Sequence, residues 1–382
     1  FYIMSALISY WEKQYFFNYD IIVIGSGIVG LNAAISLKKE TPNLSIAILE
    51  RGFLPSGAST KNAGFACFGS ISELIEQEKI IGPNGLYNLI DKRWNGLQKL
   101  RKLLGDSSIS YENYGGYELF KPLENKLSSL CVSKIGHYNQ MLKEISGKQG
   151  VFKTADSKIS EFGFKDVSVL LENTLEAQID TGKMMQCLLN KASSQGITIF
   201  NSCIVTELKE EGDEQVILTA DGNFRCKRLL ICTNAFVKKL LPSLDVVPGR
   251  GQVIITKPIK NLKIKGTFHY DKGYYYFRNI DGRLLLGGGR NLDFKAEETT
   301  EFGTTELVQN ALTKLLSEVI LPETPFEIEQ SWSGIMAFGS TINPIIKEVK
   351  PNVFCAVRCN GMGIAMGTQT GEDAARIVID SL

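Results

Sequence analysis

The chain has 382 residues, with 42 Lys and Arg against 41 Asp and Glu, a formal net charge of +1. That length is about 2.5 times a ~150-residue domain, which excludes a small stapled scaffold and calls for one large or two interlocked domains. The balanced charge excludes a bulk nucleic-acid footprint, so any anionic partner must be met locally.

Residues 1–19, beginning FYIMSALISYWEKQYFF, are aromatic but lack a basic start, and the apolar run is broken by Glu12 and Lys13. They read as a poor signal peptide and as an arm packed on the body, with a membrane-surface or partner-docking segment as the alternative. No run of 18 apolar residues predicts a transmembrane span. Asp20 to Gly25 is a β-branched run ending in glycine, the pattern of a buried parallel strand. Helical spacing follows from Ile28 to Lys39, and Ser45 to Glu50 returns to a strand, giving one strand–helix–strand unit of Rossmann type. From about 71 to 150 leucines at three- and four-residue spacings predict a mostly helical insertion outside the sheet. A helix over about 183–195 leads to a strand at Ile197–Phe200, an antiparallel piece near Glu214–Asp221 and a buried strand at Arg228–Cys232 ending in Thr233-Asn234-Ala235. Residues 252–335 alternate strands (Gln252–Thr256, Tyr274–Arg278, Arg283–Gly287) with a helix near 304–318 and further strand near 326–332. The end returns to strand–Gly–helix, with Val353–Val357, Asn360-Gly-Met-Gly363 and a helix to Leu382. The expected architecture is therefore α/β (α+β overall): a Rossmann-like domain built from the discontinuous segments 1–70, 171–245 and 340–382, a helical insertion and connecting segment at 71–170, and an antiparallel-sheet substrate domain at 246–339.

Gly25-Ser26-Gly27-Ile28-Val29-Gly30 matches GxGxxG between a strand and a helix, where the helix start faces pyrophosphate charge. Glu50, ending the second strand, stands where an acid accepts hydrogen bonds from a ribose. FAD and NAD share this first unit. The loop that follows, RGFLPSGASTKNAGFACFGS, is rich in small residues where a simple NAD domain more typically continues to another helix and strand, and a second such element closes the chain at Arg358–Gly363. The two histidines, His137 and His269, are far apart and without a ligand pattern, which argues against a zinc enzyme or a His-based hydrolase. The eight cysteines form no CxxC pair and read as reduced thiols of a cytoplasmic protein.

The combination of DIIVIGSGIVGL, LERG, GASTKNAG, ICTNA, PGRGQ and NGMGIAMG, in this order along nearly the whole chain, resembles the D-amino-acid oxidase-like (DAO) family of FAD-dependent amine oxidoreductases. YYYFRNIDGRLLLGGGRN and SWSGIMA resemble most the γ-glutamylputrescine oxidase branch within the glycine oxidase and sarcosine oxidase group. The resemblance implies that Gly25 to Gly30 carry the pyrophosphate of FAD and that Glu50 and Arg51 serve the adenosine. It also implies that Ser59, Thr60, Lys61, Asn62, Ala63 and Gly64 line the stretch to the flavin, that Val205 meets adenine through its backbone, and that Thr233, Asn234 and Ala235 support that end. Asn360, Gly361, Met362, Gly363, Ile364 and Ala365 would lie at the flavin's pyrimidine edge.

The implied reaction is hydride removal from the carbon beside an amine, to flavin N5. The chain's task is then placement, in an apolar pocket that favours the neutral amine. Pocket candidates are Lys61, Tyr276, Trp332 and Met336, with Tyr270, Tyr274 and Phe277 as further walls. In the glycine oxidase pattern an arginine for the substrate carboxylate follows the Trp-x-Gly-x step. Here Met336 follows Trp332-Ser-Gly-Ile335, and a thioether cannot pair a carboxylate. The expected small-molecule substrate is therefore an amine or γ-glutamyl polyamine without an α-carboxylate, with Arg278 or Arg290 as anchors from another direction. No lysine stands on Arg283–Gly287, where sarcosine-oxidase-like members place one over the flavin, so the electron acceptor is oxygen or another carrier. Neither Lys61-Asn62 nor Ser331–Gly334 holds a tethering histidine or cysteine, so FAD is expected to be non-covalent. The alternatives are a D-amino-acid or glycine-type enzyme, and a non-catalytic flavin-binding or electron-carrying subunit.

Overall fold

In a computed structural model that describes residues 8–382, the chain forms two compact units. The first comprises residues up to Thr60, Gly182–Pro248 and Met336–Leu382, and the second Lys61–Thr181 and Gly249–Ile335.

The β-branched run of the first strand, Asn18–Ile24, sits at the centre of the first unit's sheet, with Ile21, Ile22 and Val23 inaccessible to solvent. Burial on both faces is why this stretch is uniformly apolar rather than alternating. It pairs in parallel with Asn223–Ile231 on one side and Ile46–Leu49 on the other. Val353–Val357 and Thr198–Phe200 extend the parallel run outwards, and Ile345–Lys350 closes one edge antiparallel. The strand Glu214–Thr219 pairs antiparallel with both Asn223–Ile231 and Val205–Glu211.

Two helices of this unit, Ile28–Glu40 and Gly363–Ile379, approach to backbone contact. A Cβ at Gly371 would lie 2.8 Å from the Ala33 amide nitrogen and the Val29 carbonyl, and one at Gly367 2.8 Å from Ile28 Cγ2. Glycine is required here because helices separated by a side chain could not bring these backbones together.

The second unit holds all but the extreme ends of an eight-stranded sheet in the order Ile328–Phe338, Val247–Thr256, Arg283–Gly288, Tyr275–Ile280, Thr267–Tyr270, Gly116–Phe120, Val169–Asn173 and Phe152–Thr154. The segment at 71–170 thus differs from a helical insertion outside the sheet. It contributes two strands and the start of a third, of which Gly116–Phe120 runs parallel to Thr267–Tyr270, and it falls in the same unit as 249–335. These strands are short and bounded by long helices, so the leucine spacing of Ile71–Leu104 and Asn125–Ser146 dominates the pattern. The first of these helices is broken at Gly82-Pro83, where Gly82 takes φ +70°.

One face of the sheet carries Phe268 and Phe277, stacked at 4.6 Å, with Leu284 and Leu286, and Leu312 and Leu316 of the helical stretch from Glu306 pack against it. The arm at the start of the chain is less embedded than expected. Its helix Tyr10–Tyr15 leaves Tyr10, Trp11 and Tyr15 about two-thirds exposed, and the contacts with the body are made by Ile8, beside Gly222, and by Phe17, whose ring meets Phe224 at 4.9 Å. Residues 1–7 lie outside the described part. No helix among the described residues is long and apolar enough to cross a membrane.

The helix crossing makes a direct prediction. Gly371→Val forces two backbones apart and should lower unfolding stability by about 1–3 kcal/mol in urea titration, whereas the same change at Gly136, inside the helix Asn125–Ser146 with open space around it, should leave stability unchanged or slightly raised, because valine is the better helix former.

Candidate functional site

Within the first unit the glycine-rich turn is built around two close approaches. Gly25 has φ +105°, and a Cβ there would meet the Cys232 carbonyl at 2.9 Å; a Cβ at Gly30 would lie 2.0 Å from the Gly25 carbonyl oxygen. The helix can therefore start directly above the strand end, with Gly27 as an N-cap that has no side chain. The N-cap position itself offers the first amides no side-chain acceptor, so the positive end of the helix dipole depends on groups from outside the helix. The Ile28 amide donates to the Ser59 hydroxyl at 2.9 Å, which fixes the short turn Ala58–Thr60 against the helix start. The Thr60 hydroxyl donates to the Pro55 carbonyl at 2.7 Å and braces the loop from within.

Glu50 is buried at the end of its strand. Its Oε2 accepts from the Ser26 amide (3.0 Å) and hydroxyl (2.9 Å), and its Oε1 from the Gly52 amide (3.0 Å). The Arg51 guanidinium lies 3.5 Å over the Phe236 ring, and burial lowers its pKa. Val205 opens its strand half-buried, opposite Thr219 where the register shifts.

The ends of two neighbouring strands are tied together. The Arg358 amide donates to Asn234 Oδ1 at 3.2 Å, with both residues at positive φ, and the buried Arg358 guanidinium pairs with Asp245 at 2.6 Å. The Asn360 side-chain amide donates to the Ile342 carbonyl at 2.7 Å. Beyond it Gly361 takes φ +80°, and the helix from Gly363 starts after Met362 without a side-chain cap. Ile364 and Ala365 are buried in its first turn, and a Cβ at Gly363 would be 3.9 Å from Ile28 Cγ2, so both glycine elements converge at the two helix starts. Met336 belongs to this side as well, its sulfur 3.6 Å from where a Gly361 Cβ would stand.

A dinucleotide fits this arrangement on structural grounds. The strand–helix cradle is one that any Cβ would fill, the helix start has no cap of its own, and the buried Thr233 hydroxyl beside Gly25 has no hydrogen-bond partner.

Within the second unit the loop Lys61–Gly64 is held from two directions. The Asn62 side-chain oxygen accepts from the Gly64 amide (2.8 Å) and from the Thr181 hydroxyl (3.0 Å), and the Lys61 carbonyl accepts from the Trp332 indole at 3.0 Å. Ala63, Val253 and Leu285 form a small apolar cluster against which Phe65, Tyr276 and Trp332 pack. Because successive strand residues point to opposite faces, Tyr276 lies here while Phe277 points into the aromatic core. Tyr270 and Tyr274 also pack on that core, so three of the expected pocket walls are on the other face. The Tyr276 ring lies across Gly287, its cross-strand partner, where a Cβ would be 2.5 Å from the ring, and burial pushes its hydroxyl up to about 12.

The cations resolve differently from a substrate anchor. Buried Arg278 donates from Nη1 to the carbonyls of Ile179 (2.7 Å) and Gly64 (3.1 Å), so it staples the loop, and burial brings it down to about 10. Arg290 lies 4.9 Å over the Phe294 ring. The Lys61 ammonium is 5.2 Å over the Phe302 ring. Sequence reading missed the Arg358 and Arg278 staples, because their partners are carbonyls and loop residues far along the chain.

Comparison with known proteins agrees with this geometry. The family profile described as FAD dependent oxidoreductase, DAO, matches residues 20–377. The bifunctional protein ThiO/ThiG of Synechocystis sp. is 23% identical over 297 residues, covering 74% of this chain and 40% of that protein, so the chain spans well under half of that relative's length. Glycine oxidase of Bacillus subtilis is 22% identical over 341 residues, 88% of this chain and 84% of that one. The crystal structure of L-proline dehydrogenase from P. horikoshii superposes with a TM-score of 0.75 at 18% identity, covering 95% of this chain and 94% of that one, which establishes a shared fold. With nearly the whole chain matched, the protein belongs to the DAO family of FAD-dependent oxidoreductases, and FAD is its cofactor.

Proposed function

We propose that the protein oxidises the C–N bond of an amine, or of a γ-glutamyl polyamine-like substrate, that carries no carboxylate on the reacting carbon. The observation that carries this reading is the commitment of the local cations. Met336 follows the Trp332-Ser-Gly-Ile335 step, Arg278 is spent on two backbone carbonyls, and Arg250 is ion-paired with Glu297 at 2.8 Å. When bound, FAD supplies the hydride acceptor.

The chain's own contribution is to hold and dehydrate the amine. Tyr276, Trp332 and the Ala63 cluster offer an apolar aromatic face, on which an ammonium loses hydration and the neutral amine gains relative to it. Each pKa unit of that shift is worth about 1.4 kcal/mol. The Trp332 bond to Lys61 and the Asn62 bond to Thr181 keep the face rigid, so placement of the reacting carbon is fixed before reaction. The names of the relatives, glycine oxidase and L-proline dehydrogenase, support the second reading, an amino-acid substrate, and leave both oxygen and another carrier as acceptors. We assign Gly25 to Gly30, Glu50, Arg51, Ser59 to Gly64, Val205, Thr233 to Ala235 and Asn360 to Ala365 to FAD, bound without a covalent tether, in a cytoplasmic enzyme.

An anaerobic substrate panel decides between the readings. Primary and secondary amines and γ-glutamyl polyamines should bleach the flavin faster than glycine, sarcosine, proline or D-alanine; the reverse order overturns the amine assignment, and no bleaching by any of them overturns the catalytic one. Denaturation in acid should release all yellow colour into the supernatant, and colour retained on the chain would mean a covalent tether. Gly287→Ala should push the Tyr276 ring aside and lower kcat/KM for the best amine by on the order of 10-fold to 100-fold while the unfolding midpoint changes little. For the acceptor, stopped-flow mixing of reduced enzyme with aerated buffer should separate an oxidase from a dehydrogenase. With Lys61 over Phe302, Lys61→Met should leave the reoxidation rate within about threefold, and a larger loss would place the ammonium at the oxygen reaction.

A further inference from the structure

We propose that Cys67, Glu176 and His269 form a structural site for a divalent zinc-like cation inside the second unit. The two histidines are remote from each other in sequence, and His137 sits exposed beside Glu78 at 2.9 Å, so no spacing announces the site. The fold brings its three residues together from the loop after Phe65–Ala66, the turn after Val169–Asn173 and the strand Thr267–Tyr270. All three are buried, and one donor atom from each lies within 4.8 Å of the others.

The donors are built and oriented. His269 Nε2 is buried, has no hydrogen-bond partner and faces Glu176 Oε2 at 3.5 Å. Two donors about 2.0–2.1 Å from a tetrahedral zinc stand about 3.4 Å apart, so this pair already has the required separation. The opposite ring nitrogen faces Glu73 Oε2 at 3.5 Å, the carboxylate–histidine arrangement that orients metal-bound imidazoles. Glu176 Oε1 accepts from the amides of Phe68 (3.1 Å) and Gly69 (3.2 Å), which leaves Oε2 for a ligand. Its carboxylate fills the space of an absent side chain at Gly116, where a Cβ would lie 2.0 Å from Oε2. A small cavity bordered by Glu176, His269, Glu118, Ser70 and Gly116 offers room for a water as fourth ligand.

A sulfur, an imidazole and a carboxylate make a mixed donor set that suits zinc rather than calcium or magnesium. Buried Arg93 stands close by, its Nη1 donating to the Phe68 carbonyl at 2.8 Å. Binding a dication forms bonds to Cys67 sulfur, His269 nitrogen and Glu176 oxygen, and any proton carried by a donor atom leaves to solvent as its bond to the metal forms. No electrons move.

The test uses the flavin-loaded protein, produced in zinc-supplemented medium and dialysed against metal-free buffer. Elemental analysis should find about one zinc per chain, and zinc-edge X-ray absorption one sulfur at about 2.3 Å with nitrogen and oxygen at about 2.0–2.2 Å. Removal by a strong chelator should lower the unfolding midpoint by about 5 °C or more, restored by zinc. Cys67→Ser should abolish the sulfur scattering, and Glu176→Gln, which keeps shape and tests the site if the cysteine variant does not fold, should cut zinc content at least tenfold. Below one-tenth zinc per chain in fully flavinated wild-type protein, or a zinc signal without sulfur, overturns the proposal.

Discussion

The 2.0 Å clearance between the Gly25 carbonyl and a notional Cβ at Gly30 is the constraint on which the nucleotide end of the protein depends. With no side chain there, the helix Ile28–Glu40 starts directly against the central strand, and its uncapped end stands over the strand terminus. Everything else at that end is arranged around the resulting position. Ser59 takes the Ile28 amide, Glu50 holds Ser26 from the next strand, and the second helix start, after Met362, comes in against Ile28. An anion meeting this end interacts with fixed peptide dipoles, which need no reorganisation to receive it. A chain of nearly zero net charge can in this way offer a pyrophosphate a positive potential that is local and carried by backbone.

The second unit is governed by a different economy of groups, in which buried cations are used to hold carbonyls. Arg278 draws Gly64 and Ile179 together, and the loop between them and Trp332 then has no freedom to slide. The same bonds explain why a buried arginine beside an aromatic pocket is not by itself a carboxylate receptor. Its Nε and Nη1 are already committed, to the Asn279, Gly64 and Ile179 carbonyls, and freeing Nη1 would take this donor from the Ile179 carbonyl at about 1–3 kcal/mol. The period-two alternation of Tyr275–Ile280 then divides the aromatic residues between the two faces of the sheet: Phe277 fastens the strand to the core, and Tyr276 is left on the other face with Trp332.

Much of the first unit was legible in the sequence because its signals are local. The glycine spacing, the β-branched run of Ile21 to Ile24 and Glu50 at the end of the next strand all fall within 31 residues, and each has one physical meaning in that order. The second unit was less legible. Gly116–Phe120 is five residues long, between long helices, and its place beside Thr267–Tyr270 is set by pairing across about 150 positions, which no window of sequence records. For the same reason three of the aromatic pocket candidates fell on the core face: sequence reveals that a strand alternates, but which parity faces the pocket depends on its neighbours. The staples Arg278 and Arg358 escaped because their partners are mostly carbonyls, which carry no residue identity.

The buried ionisable groups of the second unit follow from this non-local assembly. Glu118 lies buried beside Ser72 and is pushed up to about 7, chiefly by desolvation, while Glu172 is met by Lys158 at 3.1 Å. A unit that encloses several carboxylates can be stable only if each finds donors or a cation. Glu176 finds two amides for one oxygen and leaves the other 3.5 Å from His269 Nε2, a nitrogen that makes no hydrogen bond, with the Cys67 thiol alongside. What distinguishes this corner is the meeting of a sulfur, an imidazole and a carboxylate. A cation at that corner would join three segments that the sequence separates by more than 90 residues each, in the part of the fold whose pairing is least local.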